Sequence, residues 1–197
     1  MFSAAILAGG LARRLGGGDK SALTVGADSI LARQLAVLRE ITPHIFIVGG
    51  TASRGQAPGV PVVADRIPGG GSLGGLYTAL LEAPTEQVLV IACDMPFLTA
   101  AFLRRLVALG ADADTVLDAA VPQDARGLHP LCASYARRVA PRLQARIEAG
   151  RLRIIDALAE LDVRHIGPDE LEPFDRDGRL LLNINTPEDY ARARSMK

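Results

Sequence analysis

Short unbroken apolar runs alternate with stretches of helical period along this chain. Phe2 to Leu7, Ile45 to Val48, Val60 to Ala64 and Val88 to Ala92 read as strands. Between them, Ile30 to Ile41 reads as a helix, with Leu31, Leu35 and Leu38 on one face and Pro43 ending it. Leu73 to Ala83 is a second helix, and Phe102 to Leu109 a third, capped by Thr99 and stopped at Gly110. Strands that are apolar at every position are buried on both faces. Their alternation with helices predicts a doubly wound, mostly parallel α/β sheet with right-handed crossovers.

The second half is less regular. Val116 to Val121, Pro130 to Tyr135 and Leu180 to Ile184 read as strands, and Arg137 to Ala149 as a helix ending at Gly150. Thr186-Pro187-Glu188-Asp189 opens a last helix with a capping threonine, a first-turn proline and acids at the positive end. Nothing between the halves reads as a linker. The expectation is one domain over residues 1–197, a ligand-binding half (1–110) and a second half (111–197) that supplies the other wall of the cleft.

In such sheets ligands bind beyond the carboxyl ends of the strands. That rule selects three places: the loop after Leu7, the residues after Ala64 and those after Cys93. The first runs from Ala8 to Gly18 and on to Asp19-Lys20. Its glycines, Gly9, Gly10, Gly16, Gly17 and Gly18, let backbone amides turn toward an anion. Arg14 offers a forked cation and Lys20 a compact one, as a triphosphate needs. The chain has 20 Arg and only two Lys, Lys20 and Lys197, so a lysine at the end of this loop stands out. A P-loop is ruled out, because Asp19 precedes Lys20-Ser21 where that motif requires glycine.

A second glycine run places Gly69, Gly71 and Gly74 in the spacing G-x-G-x-x-G, with Asp94 20 residues after Gly74. This matches a dinucleotide-binding fingerprint and keeps a nicotinamide oxidoreductase open as an alternative. Two features count against it. Asp65-Arg66-Ile67-Pro68 separate the strand from the first glycine, and Asp94 leads into the sharp exit Met95-Pro96.

Asp94 ends the most apolar strand in a carboxylate. Carboxylates with waters are the ligands that Mg²⁺ prefers, and phosphoryl or nucleotidyl transfer needs such a hard cation on the phosphate oxygens. Asp65 ends the preceding strand and is a second ligand or a hydrogen-bond partner of the nucleotide. Cys93 and Cys132 lack any Cys-x-x-Cys spacing and read as small buried hydrophobes. The three histidines do not cluster; of them, His129, beside Pro130, is the one positioned to line a site.

Bulk properties then narrow the picture. Acidic and basic residues balance at 22 each, so no global field draws the chain to nucleic acid or an anionic membrane. No apolar run approaches the roughly 18 residues of a membrane span, and no signal-peptide pattern opens the chain. With two cysteines the expected compartment is the reducing cytoplasm.

Four motifs in order carry a resemblance. They are Leu7-Ala8-Gly9-Gly10 through Arg14, Gly17 and Asp19-Lys20; Asp65; Cys93-Asp94-Met95-Pro96; and Asn183-Ile184-Asn185-Thr186-Pro187-Glu188-Asp189. Together they resemble the molybdenum cofactor guanylyltransferases over residues 5 to about 190. The opening motif marks the wider nucleotidyltransferase superfamily, whose cytidylyl and sugar-phosphate enzymes stay open as alternatives; the Asn-x-Asn ending narrows it. The resemblance implies the nucleotide-diphospho-sugar transferase type of fold, with a Rossmann-like nucleotide-binding half and an acceptor-binding half. It implies that Leu7, Ala8 and Gly9 meet the guanine nucleotide through backbone groups. Gly10, Arg14, Gly17 and Lys20 hold the triphosphate, Asp65 assists, and Asp94 binds Mg²⁺ and nucleotide. Asn183 and Asn185 serve the molybdopterin side. Arg14, Lys20 and Asp94 are then the catalytic set, GTP and molybdopterin the substrates. Molybdenum-insertion proteins or molybdoenzyme chaperones are the implied partners. One departure is Gly71-Ser72-Leu73, where the family often has Gly-Pro-Leu; the serine is expected to cap the following helix.

Overall fold

A computed structural model describes residues 1–8, 22–49, 57–111 and 116–196. The first strand, β1 (Ser3–Leu7), is followed by a short antiparallel hairpin of β2 (Thr24–Val25) and β3 (Asp28–Ser29), then helix α1 (Ile30–Arg39). Next come β4 (Ile45–Val48), β5 (Val62–Val63), α2 (Gly71–Glu82), β6 (Gln87–Ala92) and α3 (Ala100–Gly110). The second half adds β7 (Ala119–Asp124), β8 (Gly127–Leu128) and β9 (Cys132–Ala136). It ends with α4 (Ala140–Glu148), α5 (Ile154–Leu158), β10 (Val163–Ile166), α6 (Pro168–Leu171) and α7 (Pro187–Ser195).

The main sheet has the order β10-β7-β9-β6-β1-β4-β5, with β8 paired to β7. β5, β4, β1 and β6 run parallel, as do β7 and β10; within that order β9 runs antiparallel to its neighbours β6 and β7, and the short β8 is antiparallel to β7. The sheet is therefore mixed but mostly parallel, flanked by helices, as its pattern predicts. Alternation along each strand divides the core. Ala4, Ile6, Leu89 and Ile91 pack with α1 and α3 through Leu31, Leu35, Leu38, Phe102 and Leu106. Ala5, Leu7, Val88 and Val90 pack on the other face with Leu73, Leu76 and Leu80 of α2 and Leu143 of α4. The continuous apolar runs are thus two interleaved half-sets, one for each face.

Several expectations change in detail. Ser29 caps α1, its Oγ accepting from Ala32 N at 3.1 Å, and the helix ends at Arg39, a turn before Pro43. Thr99 caps α3 as expected, accepting from Phe102 N at 3.3 Å. The predicted helix from Arg137 opens as a 3-10 turn, Arg137–Val139, and becomes α-helical only at Ala140, with Pro141 in its first turn. Leu180 to Ile184 is not a strand. Its apolar side chains are buried, but its amides bond locally: Leu180 N donates to the Asp175 carboxylate, Leu182 N to Arg179 O and Ile184 N to Asp94 O. The run is a buried plug beneath the carboxyl edge of the sheet, and burial alone gave it the look of a strand. The segment holding α5, β10 and α6 went unrecognised, because each element is short and largely exposed.

Candidate active site

The carboxyl ends of β1, β4 and β6 open onto one cavity of about 300 Å³. Leu7 ends β1 there, Val48 and Gly49 end β4, and Ala92, Cys93 and Asp94 end β6. Asp65, beyond β5, lies on its wall with Gly71, Ser72 and Gly75 of α2. Three hydrogen bonds tie the strand ends together: Ala8 N to Val48 O (2.9 Å), Cys93 N to Leu7 O (3.1 Å) and Gly49 N to Val63 O (2.9 Å). Gly70, which opens α2, has a steric reason: a Cβ there would sit 3.0 Å from Ile67 O and from Gly74 Cα.

Asp65 and Asp94 thus share a wall, as their strand-end positions implied. They are held differently. Asp65 Oδ1 accepts from Ile67 N at 3.0 Å and from the Thr78 hydroxyl at 2.9 Å, tying the β5 exit to α2. Asp94 is half-buried; its backbone carbonyl accepts from Ile184 N at 2.9 Å and its Oδ1 from Asn183 Nδ2 at 3.4 Å. Residues 89 apart in the chain meet at that bond.

A second cavity of about 190 Å³ adjoins the first, and Ser72 and Leu131 line both. Its walls include Met95, His129, Ile154 and Asn183. His129 lies there because β7 and β9 both have ends at this edge. Its Nε2 is 3.0 Å from Asp124 Oδ1. Partial burial raises the Asp124 carboxyl, but bonding from Arg126, with His129 beside it, outweighs burial and holds it below the usual carboxylate range.

Ser72 is a correction. It does not cap α2: the cap position is Gly70, with no side-chain cap bond, and Ser72 sits in the first turn facing both cavities. Asn185 is also placed differently from Asn183. It is exposed, on the wall of neither cavity, and its backbone N–H donates to Asp189 Oδ2 at 3.0 Å in the cap of α7. The expected Gly9, Gly10, Arg14, Gly17 and Lys20 lie outside the described residues. Cys93 and Cys132 are both buried, and burial pushes the Cys132 thiol far up, as befits a packing residue. A larger concavity of about 620 Å³, lined by Arg33, Phe97, Asp175 and Arg179 among others, contains none of the expected site residues. Among the described residues no helix is long and apolar enough to cross a membrane.

Gly75 and Leu131 escaped sequence reading, and Ser72 was read only as a helix cap. Gly75 falls inside a helix and Leu131 inside an apolar run, so neither period nor composition sets them apart.

A family model described as the MobA-like NTP transferase domain matches residues 4–163. The chain belongs to the MobA-like NTP transferase family. Among members of this family, a probable molybdenum cofactor guanylyltransferase of Pelotomaculum thermopropionicum is 34% identical over 97% of this chain and 91% of its own length. A molybdenum cofactor guanylyltransferase of Desulfosudis oleivorans is 31% identical over 95% of the chain and 92% of its own. The crystal structure of molybdopterin-guanine dinucleotide biosynthesis protein A from Archaeoglobus fulgidus superposes with a TM-score of 0.82 at 28% identity, covering 100% of this chain and 98% of that one. A MobA-like transferase is a nucleotidyltransferase. The second glycine run accordingly serves the opening of α2 beside the cleft, with Gly69 at φ +84° and Gly71 at φ +58°, and the oxidoreductase alternative falls.

Proposed function

We propose that this chain transfers the guanylyl group of GTP to the terminal phosphate of molybdopterin, releasing pyrophosphate. One observation supports this most: two cavities share a wall, and Asp94 and Asn183 meet across their boundary. A two-substrate transfer needs such a joint, with one substrate in each recess and the reacting atoms at the junction.

In this reading, Leu7, Ala8 and Gly9 meet the base and sugar through backbone groups, and Gly10, Arg14, Gly17 and Lys20 hold the triphosphate. The first turn of α2 at Gly71 and Ser72 adds a positive helix end to the same recess. Asn183 orients the acceptor. Asn185 fixes the chain that carries Asn183 by closing the cap of α7, and any further role falls to its exposed side chain.

The donor set suits a hard divalent cation, taken to be Mg²⁺. Among the described residues no group of three or more His, Cys, Asp or Glu side chains is placed to cage a metal. Asp94, with Asp65 near it, instead offers the one or two carboxylates with which Mg²⁺ is held when phosphates and waters complete its shell. When bound, the ion neutralises phosphate charge. The chain's own work is alignment. An oxygen of the acceptor phosphate forms a bond to the α-phosphorus, the bond from that phosphorus to the bridging oxygen breaks in line, and pyrophosphate leaves with the electron pair. A phosphate monoester is already nucleophilic, so no residue need remove a proton. Arg14 and Lys20 stabilise charge on the transferring and leaving groups. The reaction belongs to the cytoplasm, where a labile cofactor passes to molybdenum-insertion proteins or molybdoenzyme chaperones.

The test is pyrophosphate release with GTP, CTP and ATP, with and without molybdopterin, before and after chelation. GTP-selective, acceptor-dependent release that chelation stops is the expected result. A preference for CTP would keep the chemistry and change the product. Release indifferent to the acceptor would remove the proposed function.

A further inference from the structure

The apolar face of α1 is interrupted once. Ile30, Leu31, Leu35 and Leu38 are buried along it, and Gln34 is buried among them at 2% exposure. Its Nε2 donates to Ala92 O at 2.7 Å and to Met95 O at 3.1 Å. Those two carbonyls bracket Cys93 and Asp94. Its Oε1 is buried and finds no hydrogen-bond partner among the described residues. A half-satisfied buried amide is a poorer core residue than the leucine that the period of α1 calls for. A polar group kept at such a cost marks a place where function overrides packing.

We infer that Gln34 is a positioning residue that holds the turn presenting Asp94 to the metal–nucleotide complex. The inference rests on the proposed role of Asp94. Among the described residues two elements grip this turn: α1, through Gln34 and through Arg33 Nε on Pro96 O, and the 180–184 plug, through Ile184 N on the Asp94 carbonyl and Asn183 on its carboxylate. Gln34 reaches both sides of the bend at once. Pro96 cannot donate a backbone hydrogen bond and stiffens the exit, so the turn is held by its carbonyls, and Gln34 takes those of Ala92 and Met95 on either side of Asp94. Groups that orient a metal-binding residue from behind are typically worth about 10–100-fold in metal affinity.

The experiment compares wild type with Gln34→Met, Gln34→Leu and Leu35→Ala. The last is a core variant on the same helix that makes no bond to the turn. Mn²⁺ binding to the protein with a non-hydrolysable GTP analogue is followed by electron paramagnetic resonance, and amide exchange of residues 93–98 is measured without metal. Gln34→Met should weaken Mn²⁺ binding about tenfold and speed exchange in that segment. Metal-free nucleotide binding should stay within about twofold, and Leu35→Ala should lower the melting temperature without moving Mn²⁺ affinity. The methionine keeps side-chain length and reads out the effect if the leucine variant does not fold. Wild-type Mn²⁺ affinity in folded Gln34→Met, or an equal loss in Leu35→Ala, would overturn the inference. Failure of the wild type itself to bind Mn²⁺ with the analogue would overturn the role of Asp94, and this inference with it.

Discussion

Asp94 is the side chain on which the proposed chemistry converges, at the end of a buried strand and bonded to Asn183. Its replacement by alanine should lower the transfer rate by about 10²–10³, the usual effect of removing one group that stabilises transition-state charge. The melting temperature should change little, because the carboxylate is half-buried at the rim. Lys20→Ala should lose a similar factor, read in the same steady-state assay. Both aspartates were legible in the sequence, since a carboxylate that ends an unbroken apolar run can only stand at the rim of a parallel sheet. Thr78 and Gln34 were not. Each sits within a helical pattern, and its partner is a residue that only the fold brings near. Asn183 was legible only as part of a resemblance; its bond to Asp94 spans 89 residues and has no local signal.

Among the elements, α7 shows the closest agreement between sequence and structure. Thr186 Oγ1 accepts from Asp189 N at 3.1 Å, and the Asp189 carboxylate accepts from Thr186 N at 2.9 Å and Asn185 N at 3.0 Å. Thr186→Ala should cost about 1 kcal/mol in urea unfolding. Burial raises the Asp189 carboxyl, but the amides of Asn185 and Thr186 outweigh it and leave it below its ordinary value of 3.8. A depressed folded-state pKa gives stability that is complete above the unfolded value and lost as the pH falls through the folded one. Asp189→Asn should therefore be less stable than wild type at neutral pH, with the gap closing in acid below about 3.8, as unfolding across a pH series would show. Long elements were readable because their periods run for several turns. Leu180 to Ile184 misled because its four apolar residues have the same composition in a plug as in a strand, and only the destination of the backbone amides tells the two apart. The short β10 and α6 carry too few residues for a period to emerge.

At the scale of the molecule, the sheet divides two cores that touch different helices. Leu106 belongs to the α1 and α3 side and Leu80 to the α2 and α4 side. Leu106→Ala and Leu80→Ala should each cost about 2–5 kcal/mol. With the sheet between them they share no packing, so the double variant should match the sum within about 0.5 kcal/mol in chemical denaturation. A clear excess over the sum would mean that the two sides communicate through the strands. That the sheet would be two-sided was visible in its unbroken apolar strands. That one strand would run backwards was not, since an antiparallel β9 has the same buried composition as its parallel neighbours.

That reversed strand has an evolutionary consequence. Because β9 runs against β6 and β7, the chain between Asp124 and Cys132 returns to the rim as a hairpin, carrying His129 and Leu131 to the wall of the smaller recess. The tip of this hairpin can drift while the parallel registers of β1 with β4 and β6 stay fixed, since those two ladders do not include it and its bond to β6 is made at its base, from Ala92 N to Leu131 O. One part of the rim can then be re-cut while the parallel core of the sheet is inherited intact, so that lineages can reshape one recess without rebuilding the scaffold that carries the other.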